Sequence, residues 1–189
     1  PAAPLTGARG AEESTPWHHP NEIVALVDAC HARLSSVLAE GAATARTLTT
    51  DGPEETALLA ALLDDDAQKV IDAGEESLRT GVAPAEVADT VAYAAGVRLA
   101  RFAPSNEVGD WFNPQHTFIF SNAVAQAVRR SRDPDVVRNI YDAAGAVYLD
   151  RYLTVPPAAI PAGTAALSAG SADGRRLDRA ALDQLQPDI

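Results

Sequence analysis

The sequence predicts an all-α fold: a single domain built as a bundle of about six to seven helices. Three observations carry this. Pro20, Pro53, Pro84, Pro114 and Pro134 each stand just before a run of apolar residues at helical spacing, and proline suits the first helical turn, where its missing N–H is not needed. Acidic residues follow four of these starts, at Glu22, Glu54, Glu86 and Asp135, on the side that complements the helix dipole. Gly41 and Gly81 supply stop signals. A chain of 189 residues fits one domain and can bury well over half of its unfolded surface.

In chain order, residues 1–17 hold few large apolar groups to offset chain entropy and predict disorder. The helical domain then spans 18–157. Its first helix runs from about Pro20 to Glu40, with Ile23, Leu26, Val27, Cys30, Leu34, Val37 and Leu38 in one stripe. A shorter helix follows Pro53 with Leu58, Leu59, Leu62 and Leu63. The Asp64-Asp65-Asp66 run caps the next, whose stripe is Ala67, Val70, Ile71, Gly74 and Leu78. The helix from Pro84 to about Phe102 is apolar almost all round, which predicts the centre of the bundle. Asn113 is the expected cap of a helix from Pro114 to Arg130, and Asp133 that of a last long helix reaching about Tyr152. Residues 158–174, rich in Pro, Ala, Gly and Ser, read as a connector. Residues 175–189 read as a short terminal helix with Leu177, Ala181, Leu182 and Leu185 on one side.

Composition narrows the function classes. Hydrophobic residues make up 47% but aromatics only 5%, so Ala, Val, Leu and Ile must build the core. A net charge of -11 argues against nucleic acid, whose binding needs clustered Lys and Arg. The same balance argues against an anionic membrane surface. The basic runs Arg129-Arg130-Ser131-Arg132 and Arg175-Arg176 fall at expected helix ends and suit the dipole there. Cys30 is the sole cysteine, which excludes an internal disulfide and a CxxC pair and makes a reducing cytoplasm the simplest compartment. No apolar run approaches the ~20 residues that span a bilayer, and no signal-peptide core is present at the start.

The histidines are His18, His19, His31 and His116. His116 stands one turn before Phe120, with Ala123 and Ala127 continuing that line, so it is expected to point inward. Two readings stand: a buried histidine bonded to a carbonyl or an Asp, or a metal ligand and acid/base group. His31 and Glu75 sit at the borders of apolar stripes, and His and Glu projecting from helices into a bundle are the donors of carboxylate-rich metal sites. His116, His31, Glu75 and Glu107 are therefore the candidate metal ligands, and His116 the candidate catalytic residue. The Glu-x-x-His spacing of such sites is missing; His19-x-x-Glu22 has it reversed. Arg98 and Arg101 interrupt the most apolar helix, and a buried Arg needs a carboxylate or carbonyl partner or holds an acidic substrate. The loop from Ala103 to Asn113 gathers Asn106, Glu107, Asp110 and Trp111. These line a pocket mouth, with Asp110 and Trp111 touching substrate, or they cap the flanking helices and pair with Arg98 or Arg101. No Gly-rich phosphate loop, nucleophile elbow or HExxH motif is present.

The run from Gly81 to Gly96, then Asn106-Glu107, Asp110-Trp111, His116-Thr117-Phe118, Asn122-Ala123-Val124 and Tyr148 to Pro157, resembles the helical region found beside a Rieske iron–sulfur domain in certain bacterial proteins. That region is distantly similar to questin-oxidase-like proteins. The resemblance covers roughly residues 20 to 161. It implies an oxidoreductase acting on a small molecule, with His116 and His31 near an iron or an oxidised substrate. The chain departs from that pattern at Ala125, where a second His is expected. It also has no Cys-x-His pairs, so the iron–sulfur electron-transfer centre is expected on another chain or segment. The Gly-Val-x-Pro-x-Glu-Val run also resembles alkylhydroperoxidase-D-like helices, without their redox Cys pair. A non-catalytic domain that binds a ligand or docks a partner is the alternative function.

Overall fold

Each predicted start inside the described residues, 23–154 and 157–159 of a computed structural model, opens a helix or lies in its first turn. The helices are α1 (Ile23–Ala42), α2 (Pro53–Leu62), α3 (Ala67–Arg79), α4 (Pro84–Ala100), α5 (Phe112–Arg130), the single turn α6 (Pro134–Val137) and α7 (Asn139–Leu149). Two 3₁₀ turns, Val108–Trp111 and Asp150–Thr154, complete the order. The described residues hold no strand, and Arg46 and Val82 form an isolated bridge. The chain is an all-α bundle, as predicted. The start at Pro20, both His18 and His19, the disorder expected before residue 18 and the terminal helix lie outside the described residues, as does the connector apart from Ala158 and Ala159.

The local chemistry explains the boundaries. Pro53, Pro84 and Pro134 occupy the first turns of α2, α4 and α6. The Asp66 carboxylate accepts from Gln68 N at 2.9 Å and Lys69 N at 3.4 Å, and Asp133 accepts from Asp135 N at 2.9 Å; both satisfy free N–H groups at a helix start. Gly81 stops α3 in the left-handed region, at φ +92. Asn113 is not a cap. The 3₁₀ turn runs directly into α5, so Trp111 already has helical angles and Pro114 is the third residue of the helix. Gly41 does not stop α1 either. It lies in the last turn of α1, where an added Cβ would come 2.1 Å from the Leu78 carbonyl oxygen, so its missing side chain lets α1 and α3 touch.

The centre of the bundle is α7, not α4 as the apolar run predicted. Every residue from Ile140 to Tyr148 is buried, and α1, α3, α4 and α5 all pack on α7. Tyr141 and Tyr148, the largest fully buried side chains, flank Ala143, Ala144, Gly145 and Ala146, whose small size admits close neighbours. The single helix expected from Pro134 to Tyr152 breaks at Arg138. Asn139 Nδ2 donates to the carbonyls of Asp135 and Val136 at 3.0 and 2.9 Å, which in a continuous helix accept from the backbone of residues 139 and 140.

Candidate functional site

His116 is exposed and stacks on Phe112, with ring centroids 6.3 Å apart. The inward expectation fails on phase. The buried line of α5 is Pro114, Thr117, Ser121, Val124, Ala125 and Val128, so His116 lies beside it, while Ala123 and Ala127 are exposed. Glu107 and Asp110 cap the 3₁₀ turn instead of facing His116, the Asp110 carboxylate accepting from Glu107 N at 3.0 Å. Trp111 covers the buried Phe102, with ring centroids 4.0 Å apart. Arg101 is exposed, and its carbonyl accepts from Ala158 N. Of the capping reading, Glu107 and Asp110 supply a cap, but of the 3₁₀ turn, while Arg98 takes the Leu63 carbonyl and the Thr154 hydroxyl in place of a loop carboxylate.

His31 and Glu75 border the same buried Tyr141 from α1 and α3. The His31 and Tyr141 ring centroids are 6.2 Å apart, and His31 Nε2 stands 3.5 Å from Asp142 Oδ1. Burial raises the Asp142 carboxyl above its usual range, with His31 opposing. Glu75 accepts from Arg33 Nη2 at 2.8 Å and Arg79 Nη2 at 2.5 Å. Burial raises its carboxyl, but the hydrogen bonds from Arg33, Cys30 and Arg79 outweigh it, and the group ends below its usual range. Its oxygens are thus committed to arginines. Cys30 beside them is buried, which pushes its thiol up to about 12, helped by its hydrogen bond to Glu75; such a thiol is a poor nucleophile. Among the described residues no three His, Cys, Asp or Glu side chains converge as a metal centre needs.

The Tyr141 hydroxyl is fully buried and has no hydrogen-bond partner among the described residues. An unsatisfied buried hydroxyl costs stability. Tyr141→Phe is therefore expected to stabilise the fold by about 1 kcal/mol, read as a higher urea midpoint at unchanged slope.

A second polar nest joins α4, α5 and the last 3₁₀ turn, and sequence reasoning found only its Arg98. This side chain is buried and donates to Leu63 O at 3.0 Å and Thr154 Oγ1 at 3.2 Å. Asp150 is buried within reach of its charge, and Thr117 is buried against Asp150. Burial pushes the Asp150 carboxyl up to about 6, against a hydrogen bond from Thr117 and the charge of Arg98. Arg151 lies over the rings of Tyr148 and Tyr152, at 3.5 and 3.7 Å. The Asp150-Arg151 pair, following an apolar helix directly, was the available signal. These groups pin helices together; a shallow groove between α2 and α3, lined by Ala60, Ala61, Lys69 and Asp72, is open to solvent.

The opposite side of α5 carries the feature sequence reasoning missed. From Trp111 to Val128 there is no Asp, Glu, Lys or Arg, in a chain that is 22% charged. Yet Phe112 and Ile119 are 61% and 62% exposed, Val108 in the preceding turn 84%, and Tyr93 on α4 63%. Val108, Phe112, His116 and Ile119 follow one another at helical spacing down one side of the turn and helix. Phe118 lies beside them, its ring edge against Gly96, one turn along α4 from Tyr93. The result is an apolar strip across the α4–α5 pair, edged by Gln115, Asn122 and Gln126. Hydropathy alone turns such residues inward, which is why the strip was missed. Among the described residues no helix is long and apolar enough to cross a membrane. Compared with protein-family models, curated proteins and solved structures, the chain matches none of them.

Proposed function

We propose that this chain is a non-catalytic helical domain that docks protein through the α4–α5 strip. One observation carries the reading: large apolar side chains stand in water along a stretch, Trp111 to Val128, that holds no charged residue. Depletion of charge with enrichment of aromatics marks the buried centre of protein interfaces, and an exposed apolar patch of this kind on a soluble domain marks an interaction site. A lipid surface is the poorer fit, because interfacial helices back their apolar face with Lys and Arg. The oxidoreductase reading, with iron and an iron–sulfur partner, has the sequence resemblance behind it, while Glu75 and Arg98 are already occupied within the fold.

The test is a photo-crosslinking amino acid placed at Ile119 in the native host, compared with the same group at Ser35, exposed on α1. Docking through the strip gives a discrete protein adduct from position 119 and none from position 35. No adduct at 119, or the same adducts from both positions, ends this reading.

A further inference from the structure

Resting on that docking reading, we infer that the occupant of the strip is a second copy of this chain, packed against the first about a two-fold axis. Charge is the first argument. At -11 per chain, two copies repel wherever their carboxylates meet, and the outer side of α5 from Trp111 to Val128 offers a contact with no ionised Asp, Glu, Lys or Arg on either side. A basic partner, by contrast, is drawn by the net charge toward the carboxylate-bearing faces, away from this one.

The polar residues in the strip point the same way. A two-fold axis sets the same surface against itself. A charged group near such an axis meets its own charge, whereas an amide both donates and accepts and can pair with its own copy. Gln115, Asn122 and Gln126 supply amides along the line of Phe112 and Ile119, and no charged residue interrupts them. Phe112, Gln115, Ile119, Asn122 and Gln126 recur every three or four residues, the spacing of a seam shared by two helices.

The area fits as well. A whole aromatic side chain offers ~150–250 Å², so the uncovered parts of Tyr93, Val108, Trp111, Phe112, Phe118 and Ile119 amount to an apolar patch of roughly 500–700 Å². A stable dimer buries ~800 Å² per partner, somewhat more than half of it apolar. One strip per chain therefore supplies what a two-fold dimer needs.

The experiment is analytical ultracentrifugation of the full chain over a concentration series, beside the double variant Phe112→Glu/Ile119→Glu and the control Ser35→Glu. Phe112, Ile119 and Ser35 are all exposed, so each protein keeps its helical circular dichroism. The parent and the control are expected to sediment as dimers, and the double variant to dissociate at least ~100-fold more readily. A parent that stays monomeric up to ~1 mM, or a double variant that assembles like the parent, overturns the inference. Failure of the underlying reading is seen separately. A monomeric parent with an Ile119 adduct to a different chain leaves docking standing and removes the second copy, while no adduct at all removes both.

Discussion

Replacing Arg98 with alanine is expected to cost about 3–5 kcal/mol at neutral pH, the usual effect of removing one partner from a buried charged nest. The side chain holds the Leu63 carbonyl at the end of α2 and the Thr154 hydroxyl in the final 3₁₀ turn, so its loss frees two segments at once. It also takes a positive charge from the neighbourhood of Asp150. The pH dependence separates these effects. Asp150 titrates at about 6 in the folded chain, against about 3.9 for an unfolded Asp. Between those values the folded state holds a proton that the unfolded state has released, so the stability this group contributes is full below about pH 4 and is lost as pH rises through about 6. Without Arg98 the folded carboxyl rises further and the loss at neutral pH deepens. Urea unfolding is therefore expected to show a larger cost of Arg98→Ala at about pH 7 than at about pH 4. Equal costs at both pH values would mean that Arg98 acts by its hydrogen bonds alone.

Gly41→Ala is expected to rank next, at about 3 kcal/mol. The new Cβ would lie 2.1 Å from the Leu78 carbonyl oxygen and 3.3 Å from the Gly81 Cα, and both obstacles are backbone, which cannot rotate away. The two helices must separate where Val37 and Leu78 are packed into the core. A fall in melting temperature of roughly 6–12 °C, with helical content retained below it, is the expected reading. A fall of less than 2 °C would show that the contact yields easily, since a loss of even 1 kcal/mol shifts a domain of this size by about 2–4 °C.

What was legible in the sequence was what neighbouring residues decide. The starts at Pro53, Pro84 and Pro134, the Asp66 and Asp133 caps and the stop at Gly81 depend on a few adjacent positions, and these are found where expected. The partner of Arg98 was legible in kind, because a buried guanidinium must meet a carbonyl or carboxylate, but not as Leu63, which is distant in sequence. Helix phase was not legible in α5. Its inward line includes Thr117 and Ser121, while Phe112, Phe118 and Ile119 face out, so the line of Phe120, Ala123 and Ala127 taken as inward put His116 on the wrong side. The centrality of α7 was hidden for another reason: α4 and α7 are both rich in Ala, and only the packing of the other helices decides which is enclosed. His31 and Glu75 were placed at stripe borders, but their partners, Asp142 for His31 and Arg33 and Arg79 for Glu75, come from outside the set proposed as metal ligands.

The enclosed position of α7 bears on how the chain is made. Among the described residues it is the last of the long helices in chain order, yet α1, α3, α4 and α5 all rest on it. While the ribosome is still reading toward residue 139, those helices have been translated, or are being translated, with their apolar sides lacking a partner not yet made. Domains fold as units, so closure waits until Tyr148 has cleared the exit tunnel, and the nascent chain offers holdase chaperones a long stretch of uncovered Val, Leu and Ile. A translational stall upstream of Ile140 leaves a product without its axis, which quality-control proteases meet as unfolded chain.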